Sequence, residues 1–212
     1  DWRYTTLDDP TQRPLLNANS GWRYGLDDIR GYESIIPKQT VDFMRTVAPQ
    51  VQLDYNRVAP FYTAYPPEMN FDLAAALQSP RCNLLNVRYV MTHKSTDLSA
   101  IVPTWTLAYE DEAVRIWENP AALPRAFVLT VAAGSEPVLD DTLAQNTPVT
   151  IQSDSGREKF MDVTVTQGSE SWLVVSETHL NGWRAFIRPR GGDDHTEQPL
   201  DTTRVLGNFI GV

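Results

Sequence analysis

The residues of this chain able to do chemistry fall in a few short stretches. The densest is Gly25-Leu26-Asp27-Asp28-Ile29-Arg30-Gly31-Tyr32, which packs two glycines, two acids and an arginine into eight residues. Glycines let a backbone reach positive φ or approach a neighbour closely, so the stretch predicts a compact loop. Asp27, Asp28 and Arg30 then have two uses. They can present carboxylates and a guanidinium to a ligand, or an Asp-Arg pairing within the stretch can hold the loop, which is the simpler use. Tyr62 and Tyr65, set among Pro60, Pro66 and Pro67, could line a groove that stacks on sugar rings, or could cover a core where regular structure is lacking. Trp183 offers the same choice: Gly182 permits a sharp entry into a strand, and the ring meets either a sugar or the opposite sheet.

Catalytic patterns are sparse. The chain has no Gly-x-Ser-x-Gly elbow, no His-Glu-x-x-His, no phosphate-cradling glycine loop and no Cys-x-x-Cys. Glu177 and His179 are two apart, which places them on one face of a strand and would suit acid-base work; a solvated strand end is the plainer reading. Asp193-Asp194-His195 after Gly191-Gly192 has calcium-type donors, yet a polar glycine-rich insert is ordinarily just a loop. His93, His179 and His195 lie far apart in sequence. No catalytic residue, metal ligand or cofactor is assigned.

Composition narrows the partners. A net charge of −9 and a pI near 4.8, with no basic cluster, argue against nucleic acid or an anionic membrane surface, since phosphate binding relies on Lys and Arg. A neutral or cationic partner fits. The single cysteine, Cys82, reads as a buried structural thiol. The longest apolar runs, such as Ala126 to Ala133, are less than half of the ~20 residues that a spanning helix needs.

These residues must be positioned by two differently composed halves, joined through the stretch from Trp105 to Phe127. Alternation on both sides of Asp111-Glu112 predicts a hairpin, although its turn lacks the Asn-Gly or Asp-Gly that tight hairpins prefer. Pro120 and Pro124 stiffen the crossing that follows. Before the joint we read a strand from Trp2 to Leu7, a helix opened by Pro37 and closed by Pro49, a second helix capped at Asn70 and ending before Pro80, and a central strand from Leu84 to Met91. Arg88 on that strand needs an acid or carbonyl partner. After the joint, Phe127–Val131, Val149–Ile151, Met161–Thr166, Trp172–Ser176, Trp183–Ile187 and Val205–Ile210 read as short strands, with 140–145 helical. The fold class is therefore α+β: an N-terminal α+β lobe over 1–124 and a C-terminal antiparallel β-sandwich over 125–212.

In their order along the chain, Asp28-Ile-Arg-Gly-Tyr32, Leu84-Leu-Asn-Val-Arg-Tyr-Val90, Tyr109-Glu-Asp with Ile116-Trp-Glu-Asn-Pro120, Leu123-Pro-Arg-Ala-Phe127, and Leu173-Val-Val-Ser176 with Gly182-Trp-Arg184 resemble the soluble part of bacterial YfhO-type membrane proteins. The match spans most of the chain. It implies an extracytoplasmic domain of a multi-pass member of the GT-C glycosyltransferase superfamily, whose members are implicated in moving sugars from polyprenyl-phosphate donors to cell-envelope polymers. The implied partners are the membrane-embedded half of the same polypeptide and an envelope glycan or lipid-linked sugar. Asn181 stands where the family tends to have Pro, the stretch between Trp183 and Phe209 is longer and more polar, and the family sandwich usually continues past the position of Val212. No family-wide catalytic residue maps onto this segment. The chain, which opens and stops in strand-like sequence, is expected to be a piece of something longer.

Three functions follow as expectations. The leading one is a non-catalytic ectodomain that positions a glycan or lipid-linked acceptor. An independent carbohydrate-binding module is the second, and a carboxylate hydrolase using Glu177 the third.

Overall fold

The computed structural model describes residues 2–32, 36–50, 57–58, 61–140, 143, 145–155, 158–165 and 169–212. The fold is α+β, with antiparallel sheet dominating its second half. The chain divides into two compact units, Trp2–Leu123 and Pro124–Val212.

The N-terminal unit contains, in order, β1 (Arg3–Asp8), β2 (Asp27–Asp28), β3 (Gly31–Tyr32), α1 (Lys38–Val47), β4 (Arg57–Val58), β5 (Phe61–Tyr62), α2 (Leu73–Leu77), α3 (Pro80–Leu84), β6 (Val87–His93), β7 (Thr106–Glu110) and β8 (Val114–Glu118). Its main sheet runs β2-β1-β6-β8-β7, with β5 also beside β1. β6 is thus central, as its apolar run predicts. β1 is parallel to β2, β5 and β6, whereas β6, β8 and β7 are antiparallel. Side chains alternate across the pleat. Leu7, Val90 and Trp117 share the buried face, and Leu77, Leu84, Leu98 and Val102 complete that core.

Local chemistry sets the boundaries. α1 buries Phe43, Met44 and Val47, the stripe that a period of 3.6 dictates. The cap of α2 is Asp72 rather than Asn70: its carboxylate accepts the Ala75 N–H, while Asn70 sits left-handed at φ 42°. α2 ends before Pro80, as expected, but helical structure resumes there. Pro80 opens α3 at its first turn, where its missing N–H costs nothing, with the Ser79 hydroxyl accepting the Cys82 N–H. Leu84 and Leu85 therefore belong to the end of α3, and β6 starts only at Val87 because Asn86 turns the chain at φ 62°. Asn86 is fully buried and donates to the Leu123 carbonyl at 2.8 Å.

The β7–β8 hairpin forms as expected, with the turn one residue later than predicted. The Asp111 and Val114 backbones bond across it at 3.0 Å. The missing glycine is offset by the Asp111 side chain, which accepts the N–H of Ala113 and of Val114, both at 2.8 Å. Those backbone hydrogen bonds hold its carboxyl below the usual range. After the hairpin, Asn119 ties the chain back, donating to Asn83 Oδ1 at 3.0 Å and accepting from Ala121 N at 3.0 Å.

Cys82 is buried, as read, and burial pushes its thiol up to about 12. At pH 8 the thiolate is then roughly one part in ten thousand, and the thiolate is the reactive form. The native protein will leave a chromogenic disulfide reagent unreacted over an hour and release one equivalent in denaturant; rapid native release would disprove the burial.

The C-terminal unit holds β9 (Ala126–Val131), β10 (Thr147–Val149), β11 (Ile151–Asp154), β12 (Lys159–Met161), β13 (Glu170–Thr178), β14 (Ala185–Ile187), β15 (Gln198–Leu200), β16 (Thr203–Val205) and β17 (Phe209–Gly211). The order β10-β9-β13-β17-β16 makes a five-stranded antiparallel sheet, accompanied by the hairpins β11-β12 and β14-β15. Ala126, Val128, Val149, Val175 and Ile210 form the core of one face, with Ile151, Met161, Val163 and Trp183 packed on it. Phe127, Leu129 and Val174 fill the opposite face.

Three strands differ from the expectation. Val149–Ile151 is not one strand, since Val149 ends β10 in the main sheet and Ile151 begins β11 in the β11-β12 hairpin. Met161–Thr166 is a strand only to Met161 among the described residues, although Val163 still packs inward. Val205–Ile210 is a hairpin rather than one strand, since Leu206 and Gly207 lie at φ 52° and 88° and Asn208 N bonds Val205 O at 3.2 Å, the geometry of a tight I′ turn. The helix expected at 140–145 lies partly outside the described residues.

Candidate functional site

Among the described residues, the loop carrying Asp28 and Arg30 is a closed polar knot. Arg30 Nε donates to Asp28 Oδ1 at 3.0 Å and Nη2 to Oδ2 at 2.7 Å, a bidentate fork. Nη1 donates to Thr6 Oγ1 at 2.5 Å and to the Leu16 carbonyl at 3.1 Å, with Asp8 at 3.9 Å. The Arg30 and Asp28 side chains are 5% and 3% exposed, too little to receive a ligand. Burial works against the Arg30 charge, but the Asp28 hydrogen bonds and the Asp28 and Asp8 charges outweigh it and raise its pKa. The same burial, with Asp28 nearby, raises that of Tyr4. Internal pairing is therefore the use to which this loop puts Asp28 and Arg30.

Arg88 finds the acid that its strand position demands. It bonds Glu118 through Nε at 2.8 Å and Nη2 at 2.5 Å, and lies 5.0 Å over the Trp2 ring. Tyr62 and Tyr65 form an edge contact at 5.8 Å, and Tyr65 a second with Phe71 at 4.5 Å. Burial pushes the Tyr65 hydroxyl up to about 12. This is a ring cluster rather than an open stacking shelf.

In the C-terminal unit, Trp183 is half-buried against the core of the main sheet, and its carbonyl accepts from Thr202 at 3.2 Å. Glu177 is neither a free base nor a solvated strand end: Arg125 bonds it through Nε at 3.0 Å and Nη2 at 2.5 Å, and Lys159 lies at 3.6 Å. A carboxylate held by two cations serves as their counter-ion. Asp193 caps the turn Asp194–Thr196 by accepting the His195 N–H at 3.1 Å, and Asp194 pairs with Arg188 at 2.5 Å. No group of three or more His, Cys, Asp or Glu residues among those described could hold a metal ion.

What the sequence did not reveal is an open cleft of about 400 Å³ lined by Glu136, Glu170, Ser171, Trp172, Asp201, Thr203 and Val212. Trp172 forms its apolar wall. The indole N–H is tied to the Ser135 carbonyl at 2.9 Å, and the ring is seated on Gly211, where a Cβ would meet Val205 Cγ1 at 2.5 Å and Trp172 Cε3 at 3.1 Å. Glu170 is steadied by the Gly134 N–H at 2.6 Å. The cleft thus combines an oriented aromatic ring with carboxylates and two hydroxyls, an acceptor-rich lining suited to a ligand with many O–H or N–H donors and hostile to phosphate. The available signal was modest: Glu170 and Trp172 are two apart and share a strand face.

Comparison of the chain with family models, with curated proteins and with solved structures finds no match.

Proposed function

We propose that this chain is a non-catalytic extracytoplasmic domain of a multi-pass bacterial membrane protein of the YfhO type. In this reading it holds an envelope glycan or the sugar of a lipid-linked acceptor for the membrane-embedded half of the same polypeptide, which supplies the glycosyl transfer. The observation that carries the reading is the cleft beside Trp172, whose fixed ring can stack on a sugar face while Glu136, Glu170 and Asp201 accept its hydroxyls. A second support is the role of the shared motifs. Asp28, Arg30, Arg88, Glu118, Asn119 and Arg125 all act in holding the fold, as expected of a scaffold whose reaction happens elsewhere. No helix among the described residues is long and apolar enough to cross a membrane, so in this reading the lipid chain of a donor is met by another part of the protein.

Calorimetry and tryptophan fluorescence with cell-envelope glycans will give a weak affinity, about 0.1–5 mM. Trp172→Ala will abolish it, Trp183→Ala will act only through stability, and the chain alone will not turn over a lipid-linked sugar. Absence of binding at saturating glycan, or robust turnover, defeats the proposal. Micromolar binding lost in Trp183→Ala at an unchanged melting temperature would instead identify an independent carbohydrate-binding module.

A further inference from the structure

Residues 10–26 contain Arg13 and Arg23 and no acid, in a chain whose net charge is −9. The segment ends in a 3-10 turn, Ser20–Tyr24, closed by Gly25 at φ 66°. Trp22 is 77% exposed, Tyr24 76% and Leu26 51%. Large apolar side chains so close together are seldom left in water without a partner.

They are held outward by a fixed base. A Cβ at Gly21 would lie 2.6 Å from the Tyr4 hydroxyl and 2.8 Å from the Leu26 carbonyl, so the turn sits tightly on β1. Leu26 N bonds Gly21 O at 3.1 Å and Ile29 N bonds Tyr4 O at 3.2 Å. Neither Arg13 nor Arg23 has an ion-pair partner among the described residues. The tip therefore presents an indole, a phenol and a leucine, with an unpaired guanidinium between the two rings in sequence.

We propose that the Trp22–Leu26 tip docks on a phospholipid bilayer surface, with Trp22 and Tyr24 at headgroup depth, Leu26 toward the acyl boundary and Arg23 on lipid phosphate. Trp and Tyr concentrate at that depth because the ring is apolar while its N–H or O–H stays wet. Guanidinium matches phosphate oxygens in geometry and charge. The balance of the whole chain argues against an anionic membrane, but charge is screened over about 8 Å at physiological ionic strength, so the residues near the tip decide. The nearest acids in sequence are Asp9, bonded to Thr11 and Gln12, and Asp27, whose backbone is fixed in β2 beside Arg3 of β1. Charge also separates the occupants. A neutral glycan gives the arginines nothing to pair with, and a second copy joined symmetrically through this tip sets arginine against arginine. The inference concerns the N-terminal unit and stands whether or not the Trp172 cleft binds sugar.

The test is flotation of the whole chain with vesicles of phosphatidylcholine, alone or with one third phosphatidylglycerol, at millimolar lipid. The chain will float with the mixed vesicles, and Trp22→Ser/Tyr24→Ser will lower the bound fraction by at least about fivefold. Arg23→Gln will lower it about three- to fivefold on mixed vesicles and less on phosphatidylcholine alone. Melting temperatures matching the parent chain establish that these variants fold. No flotation of the parent chain, or flotation unaltered in the double variant, overturns the proposal. So does a dimer that the double variant dissolves, or a glycan affinity that it abolishes, each of which assigns the tip to that other occupant.

Discussion

Arg30→Met will destabilise the N-terminal unit by about 3–5 kcal/mol, the usual effect of removing one partner from a buried ion pair. Asp28 would remain with its side chain 3% exposed and no cation, and Thr6 Oγ1 and the Leu16 carbonyl would lose their donor. Native-state hydrogen exchange on the β1 and β6 amides reads this unit directly: their protection will collapse while that of β9 and β13 amides changes little. Arg30→Met/Asp28→Leu should recover a large part of the loss, because the stranded charge goes as well. A change below about 1 kcal/mol in the single variant would mean that solvent reaches the pair and that the loop is open to ligands after all.

Phe127→Ala will act on the other unit with comparable force, about 3–5 kcal/mol for a buried phenylalanine. Phe127 has no exposed surface and lies in the middle of the sheet, opposite Val174 on β13 and Pro148 on β10. Neighbours held on both sides by ladder hydrogen bonds cannot collapse into the space, so the cavity term should persist. Phe186→Ala, at a residue 56% exposed, is the control and should stay within about 0.5 kcal/mol. Urea unfolding followed by near-ultraviolet circular dichroism will separate the two variants; similar midpoints would mean that the core has been misplaced.

How much of this was legible in the sequence depended on whether the signal was local. An internal Asp-Arg pairing in the 25–32 loop follows from the sequence, although the structure decides that Asp28 and not Asp27 is the partner, and the partner of Arg88 follows in kind. The β7–β8 hairpin followed from alternation alone. The helix before Pro80 ends as expected, but Pro80 also opens α3, with Ser79 as its cap, and that short helix takes Leu84 out of the strand. Leu206 misled because leucine at positive φ advertises nothing, so the hairpin from Thr203 to Gly211 looked like one strand. The Trp172 cleft was invisible for a different reason. Its carboxylates come from positions 136, 170 and 201, and only the pairing of β9 with β13, of β13 with β17 and of β17 with β16 brings their segments together.

The parallel pairing of β1 with β6 has a consequence for the order in which the chain acquires structure. Arg3 is registered with Val87 and Leu7 with Thr92, so β1 has its longest partner among residues made much later than itself. Closing so long a loop costs chain entropy before any contact repays it, and topologies dominated by distant pairings fold slowly. β6, β8 and β7 lie close together in sequence and can form an antiparallel nucleus first, leaving β1 to insert at its open edge as the last major event. Until then β1, whose Tyr4 and Leu7 are buried in the folded sheet, lacks its longest partner on a nascent chain, a species for which chaperones compete.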